Sequence, residues 1–417
     1  MRLIAALFAY PLFLLALPFL LFHPKLKDGL KARLGLHPPG WPGLGPGPRL
    51  WLHGASAGDI LALVPLIREL KARRADLRLV LSTITNSGRI MAEKEARQVD
   101  VVTYLPYDLP GPVRRTLARI APDVLVLEYT ELWPQLIHAA NRAQTKLVLH
   151  NGRLSANRVG RYRRLFFLVG NLLTPFRLLL MKDDAEAETA RRLGATDQQL
   201  HVTGNTKFDS LTCEPPAAKV AELERVAAFP KSALVWVAGS THEGEEEILL
   251  DTFATVRGRY PQLRLIVAPR YVERAEKILS LASRRGLTAR LRSQGGPAPE
   301  VFVLDTIGEL VACYALAHVV FVGGSFVTRG GQNILEPAAA GKPVLFGPHM
   351  QNFADSVQVL LGRGGIQVVS PEQLHKVMID LLSRPQRLQE LGELAATQVR
   401  TVRGAAGRNA DLILGLR

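Results

Sequence analysis

The sequence predicts an α/β protein made of two doubly wound parallel sheets that face a shared cleft, and three observations carry that prediction. The chain has 417 residues, above the roughly 250 to 300 at which a single hydrophobic core stops growing. Short apolar runs of strand length alternate with helical patterns, as parallel strands covered on both faces require. A break at 213–217, where Pro215 and Pro216 interrupt the alternation, separates two halves that repeat the same logic.

The stretch from Leu3 to Phe22 is almost wholly apolar, interrupted only by Tyr10, Pro11 and Pro18, and about 20 such residues span a bilayer. Residues 1–35 are therefore predicted to be a membrane anchor helix with a basic flank. Lys25, Lys27, Lys31 and Arg33 follow the apolar segment where a cleavable leader would carry small residues, and they place the downstream chain on the cytoplasmic side. The two prolines leave open an interfacial helix that enters one leaflet. A Pro/Gly-rich linker occupies 36–48.

In the first domain, 49–212, buried strands are predicted at Leu50–His53, Arg78–Ser82, Val101–Tyr104, Val124–Glu128 and Leu147–Leu149, with Leu178–Met181 and His201–Thr203 as additions. Crossover helices are predicted at Ile60–Arg73 and Gly111–Ile120. An interdomain linker, 213–231, leads to a second domain, 232–417, with strands at Leu234–Ala238, Arg264–Ala268, Val301–Leu304, Val319–Val322 and Pro343–Phe346. Ligands of such sheets bind beyond the carboxyl ends of the strands, so the loops there are where chemistry is expected.

Composition narrows the function classes. Lys and Arg number 52 against 37 Asp and Glu, a formal charge of +15 that favours anionic partners. The cations are scattered and no recognition module accompanies them, which argues against nucleic acid. Cys213 and Cys313 are too few and too isolated for a disulfide framework or a zinc site.

One loop stands out. Gly323 to Glu336 follows an apolar strand and opens a short helix closed by Gly341. Gly324, Gly330 and Gly331 would let the backbone approach a ligand, helix N–H groups would favour a phosphate, and Ser325 or Arg329 would add donors. Glu336 would then grip ribose hydroxyls; alternatively, Asn333 and Glu336 form only a capping box. A second loop, His53 to Asp59, offers a carboxylate to take a proton from an attacking hydroxyl, or a helix cap at Asp59. Arg270 and Lys207 are candidate partners for phosphate or carboxylate. The run Ser240 to Glu247 reads as a helix start, with capping-box spacing between Ser240 and Glu243, and no metal-ligand pairing occurs. The segment Arg153 to Arg177 mixes arginines with aromatic and aliphatic residues, either a face for a phosphorylated lipid or bilayer surface, or a core helix with a solvated basic edge.

Several strings occur in order along the chain: Trp51 to Gly58, Tyr104 to Pro110, Glu131 to Pro134, Asn151 to Ser155, Ser240 to Glu246, Arg329 to Gly331, Asn333 to Pro337 and Gly347 to His349. Together they resemble the bacterial transferases of 3-deoxy-D-manno-octulosonic acid (Kdo), enzymes of the GT-B fold with two Rossmann-like domains. The resemblance implies an inverting glycosyltransferase that moves Kdo from CMP-Kdo to the lipid A precursor, lipid IVA, at the cytoplasmic face of the inner membrane, with no cofactor and no metal. It implies that Pro269 and Arg270, Ile307, Gly308 and Glu309, and Asn333, Ile334, Leu335 and Glu336 contact CMP. Asp59 would be the proton acceptor and Lys207 the transition-state stabiliser. The chain departs from the family pattern at three positions. Asp59 stands for a Glu, Tyr129 for a carboxylate, leaving Glu131 as the nearby acid, and Gln332 for a His. Alternatives are a diverged transferase of another CMP-activated acid sugar, a nucleotide-sugar epimerase of similar fold, and a non-catalytic nucleotide-binding scaffold.

Overall fold

The structure is a computed structural model that describes residues 28–210 and 215–416. The apolar stretch Leu3–Phe22 of the predicted anchor and Cys213 lie outside the described residues, whereas the end of its basic flank forms the short helix Leu30–Arg33; among the described residues no helix is long and apolar enough to cross a membrane.

The chain forms two compact units. The first holds β1 (Arg49–His53), β2 (Arg78–Thr83), β3 (Val101–Tyr104), β4 (Val124–Glu128), β5 (Lys146–Gly152), β6 (Phe176–Met181) and β7 (Leu200–Val202). They form one parallel sheet in the order β3-β2-β1-β4-β5-β6-β7. The second holds β8 (Leu234–Thr241), β9 (Leu263–Pro269), β10 (Ala289–Leu291), β11 (Val301–Val303), β12 (Val319–Val322), β13 (Val344–Phe346) and β14 (Gly365–Gln367). Its order is β10-β11-β9-β8-β12-β13-β14, again parallel. The direction of winding reverses between β1 and β4 and between β8 and β12, and the crevices beyond these strand ends are where doubly wound sheets bind ligands.

Side chains alternate between the two faces of each strand, so the central strands bury apolar residues on both. On β1, Trp51 faces one layer of the first unit, with Leu125, Leu127 and Leu149. Leu50 and Leu52 face the other, against Ile60, Leu63 and Ile67 of the helix Ala57–Arg73. The strands β10 and β14 were not expected: each is three residues long and carries a polar residue, Arg290 or Gln367, so neither reads as a continuous apolar run.

The expected second domain, 232–417, ends too far along the chain. Residues from Arg403 onward belong to the first unit. The helix Ala405–Leu414 buries Ala410 and Ile413 in the core layer beside the helix Ala57–Arg73. Its first N–H groups, at Gly404 and Ala406, donate to the Asp209 carboxylate at 2.5 and 2.6 Å, and Arg408 donates to the Thr203 carbonyl at 2.7 Å. No local pattern separates this helix from its neighbours, because its partners lie about two hundred residues away.

Asp108 shows how motifs distant in sequence are joined. The helix Pro134–Arg142 is preceded by Trp133, whose side chain cannot cap it. Asp108 does so instead, accepting from the Gln135 and Leu136 N–H groups at 3.0 and 2.9 Å. Burial pushes its carboxyl up to about 6, against those two donors. Because the folded value exceeds the ordinary 3.8, this group's contribution to stability is present below pH 4 and lost as pH rises through 6. Asp108→Asn is neutral throughout, so the stability of the native protein relative to the variant should fall by about 1 to 3 kcal/mol between pH 4 and 7. Urea unfolding of both proteins at each pH checks this, and a constant difference would refute it.

Candidate active site

In the first unit the functional side chains gather at the carboxyl ends of β1, β4 and β5. Asp59 lies in the first turn of the helix Ala57–Arg73, where its Oδ2 accepts from the Ser56 backbone N–H at 2.8 Å and hydroxyl at 2.9 Å. It therefore caps the helix, and its second oxygen is the one left to meet a substrate proton. Lys207 lies exposed in the short 3₁₀ turn Thr206–Ser210. Glu131 accepts from the Trp133 indole at 2.9 Å and stands 3.5 Å from Nε2 of the buried His53.

The strand β4 does run through Glu128, as the sequence suggested, and the chain turns sharply after it. Tyr129 has φ 52° and Asn151, at the end of β5, has φ 49°, left-handed values that residues with a Cβ seldom adopt. Glu128 is fully buried. It accepts from His150 Nδ1 at 2.5 Å and from Asn151 Nδ2 at 2.7 Å. Burial pushes its carboxyl up, His150 and Asn151 pull it down, and the charge of Asp59 adds a further push upward. Sequence reasoning gave Glu128 and His150 no role; the available signal was that both stand at carboxyl ends of adjacent central strands.

In the second unit the glycine-rich loop has a different role from the one expected. The N–H groups of Gly324, Ser325 and Phe326 do converge on an anion, but it is the protein's own Glu245, at 2.7, 3.0 and 2.9 Å. Glu245 is fully buried and also accepts from the His242 N–H at 2.9 Å. This loop segment is thus a satisfied nest and offers a phosphate no free donors there. Gly323 is required for the approach, since a Cβ would stand 2.6 Å from the Ser240 carbonyl oxygen. Ser325 is also committed: its hydroxyl donates to the Val322 carbonyl at 2.6 Å and accepts from Gly347 N–H at 2.8 Å. Gly330 and Gly331 are buried against Asn352 and Met350.

The expected capping box at Ser240 and Glu243 is displaced. The helix starts at Glu245 after Gly244, and Glu243 instead pairs with Lys277 at 2.6 Å. Glu246 is buried against Arg274 at 2.8 Å, so Glu243, Glu245 and Glu246 of this run have protein partners. The helix after the loop covers only Leu335–Ala339, too short to develop much of a dipole.

The donors that remain suit a nucleotide. Arg270 and Arg329 are exposed, and both charges act on His242, which burial and these two guanidinium groups keep below its ordinary value despite Glu245. Asn333 donates to Glu336 at 3.0 Å and accepts from the Leu335 N–H at 3.1 Å. Burial pushes the Glu336 carboxyl up, and Asn333 opposes that. Ile307 is 88 % exposed at a loop tip beside Gly308. Glu309 is turned inward, accepting from Thr306 and, at 3.0 Å, from Arg292.

Comparison with known proteins places these features. Residues 28–210 match the family model described as 3-deoxy-D-manno-octulosonic-acid transferase (kdotransferase). The 3-deoxy-D-manno-octulosonic acid transferase of Haemophilus influenzae is 29% identical over 94% of this chain and 92% of its own length. That of Chlamydophila psittaci is 30% identical over 90% and 87%, and that of Bordetella pertussis 30% over 87% and 86%. Among solved structures, the UDP-GlcNAc 2-epimerase of Neisseria meningitidis shares the fold with TM-score 0.59 over 88% of this chain and 99% of that one, at 12% identity.

The nest makes a specific demand. Glu245→Gln keeps the size of the side chain but turns an amide N–H₂ towards backbone N–H groups. It should cost about 2 to 4 kcal/mol, read as a shift of the urea unfolding transition of the full chain; an unchanged transition would contradict the role assigned to Glu245.

Proposed function

The chain belongs to the 3-deoxy-D-manno-octulosonic acid transferase family and is a glycosyltransferase, and from that premise we propose that it moves Kdo from CMP-Kdo to the lipid A precursor, lipid IVA, with inversion. The observation that carries the donor half is the pair of exposed guanidinium groups, Arg270 and Arg329, close enough to His242 in the second unit for both charges to act on it. Their positive potential suits the phosphate of CMP. Glu336, steadied by Asn333, is suited to accept from ribose hydroxyls. The exposed tip at Ile307 and Gly308 would lie along the base, with Pro269 at the end of β9 beside Arg270.

The acceptor hydroxyl oxygen attacks the anomeric carbon as the bond from that carbon to the CMP phosphate oxygen breaks. The hydroxyl proton passes to the free Oδ1 of Asp59, and CMP leaves with the bonding pair. Lys207 offsets the charge that develops on the leaving group, and Glu131 supports the acceptor side. A monophosphate leaving group stabilised by arginine and lysine needs neither metal nor cofactor.

We place the enzyme at the cytoplasmic face of the inner membrane. The helix Val159–Val169 supports this, since it buries little beyond Val159 and Phe166 while exposing Phe167 and Leu168 beside Arg158, Arg161, Arg163 and Arg164. Such a face suits anionic lipid.

Incubation with CMP-Kdo and lipid IVA, following CMP release and lipid mass, tests the reading. Transfer should proceed undiminished in a chelator. Asp59→Ala should lose at least about a hundredfold in kcat, and Arg270→Ala should raise the donor KM by about tenfold, the size of one charge-assisted contact. CMP binding without turnover would favour a scaffold, and sugar isomerisation without lipid would favour an epimerase.

A further inference from the structure

The buried network behind Asp59 and Lys207 has no place in the chemistry just described, and its connections are specific. Asn151 donates through Nδ2 to Glu128 at 2.7 Å and to the Thr206 hydroxyl at 2.7 Å, and its Oδ1 accepts from the Thr206 N–H at 3.0 Å. The Thr206 hydroxyl in turn donates to the Ala62 carbonyl at 2.7 Å. Ala62 lies in the same helix as Asp59, three residues on, and Thr206 directly precedes Lys207. The Lys207 N–H is fixed as well, donating to Asn205 Oδ1 at 3.0 Å. Glu128, His150, Asn151 and Thr206 are all fully buried.

We propose that Glu128 is a positioning residue: through Asn151 and Thr206 it sets the distance between the helix that carries Asp59 and the turn that carries Lys207. Three features argue for this role. An ionisable carboxyl without access to solvent is costly to keep, and Glu128 repays that cost only through the two side chains it holds. Asn151 adopts a left-handed backbone conformation that costs about 1 kcal/mol or more for a residue with a Cβ. That conformation is held by the side-chain bonds to Glu128 and Thr206. Finally, Thr206 uses both capacities of its hydroxyl, accepting from Asn151 and donating to Ala62, so a shift at Glu128 is passed to the helix and not absorbed.

The inference rests on the reading that Asp59 and Lys207 perform the transfer, and the test separates the two. Glu128→Met fills the same space and removes the acceptor. Thr206→Val keeps the shape and breaks the link without touching Glu128. Each should lower kcat by about 10- to 100-fold, the range that a misplacement of up to 1 Å produces. The donor KM should stay within about twofold. Because removing one partner leaves buried groups of Asn151 and His150 unpaired, the unfolding midpoint of Glu128→Met should fall as well, so kcat is compared at a temperature where circular dichroism shows each variant fully folded. The double variant should be no slower than the slower single one, because both cut one chain of bonds. Glu128→Gln offers an oxygen to Asn151 and an N–H that His150 Nδ1 accepts once the imidazole takes its other tautomer, with the proton on Nε2, so it should restore kcat to within about threefold of the native enzyme. A residue needed only for stability would lower the unfolding midpoint and leave kcat of the fully folded variant at the native value. If Lys207→Ala abolishes transfer while Glu128→Met and Thr206→Val keep native kcat, the positioning role is overturned and the functional reading stands. If Lys207→Ala retains full activity, the functional reading fails and takes this inference with it.

Discussion

A fully buried carboxylate, Glu245, accepts four backbone hydrogen bonds, from His242, Gly324, Ser325 and Phe326. This interaction ties the glycine-rich loop after β12 to the end of β8 at the point where the second sheet changes its direction of winding. Without an anion there, consecutive N–H groups would point at one another across a small buried volume. Supplying the charge from the chain itself keeps the loop in shape whether or not a ligand is present. On the proposed function, affinity for a phosphate would then come from side chains, Arg270 and Arg329, whose charges together with burial lower the His242 pKa.

The first unit solves a similar problem in a similar way. Glu128 lies at the switch point of its own sheet, fully buried, and organises His150 and Asn151. Its neighbour Tyr129 occupies the position where the family pattern has a carboxylate. Glu128, the last residue of β4, points inward to the network with His150 and Asn151, and the chain leaves the strand at Tyr129 in a left-handed conformation.

Much of this was legible in the chain. Central strands announce themselves as apolar runs because both faces are covered, and twelve of the strands lie where such runs do. The edge strands β10 and β14 escaped notice because Arg290 and Gln367 leave three residues without a continuous apolar run. Asp59, Lys207, Arg270 and Glu336 could be singled out as candidates from their positions after strands. The loop's glycines were legible too, but their purpose was misjudged, since a nest for an external phosphate and a nest for an internal carboxylate have the same local sequence.

The sequence by itself determined the parallel α/β class, the repeated doubly wound pattern, the family and the identity of the polar residues at the strand ends. All of these follow from periodicity and local order, which act over a few residues. Only the tertiary structure decided which anion fills the glycine-rich nest, which residue caps the helix after Trp133, and where the last helix docks. Each of those outcomes depends on a partner between 27 and about two hundred residues distant, such as Asp108 for Gln135 or Asp209 for Ala406. Hydrogen bonds of that kind are set by the packing of whole layers, and no local spacing records them.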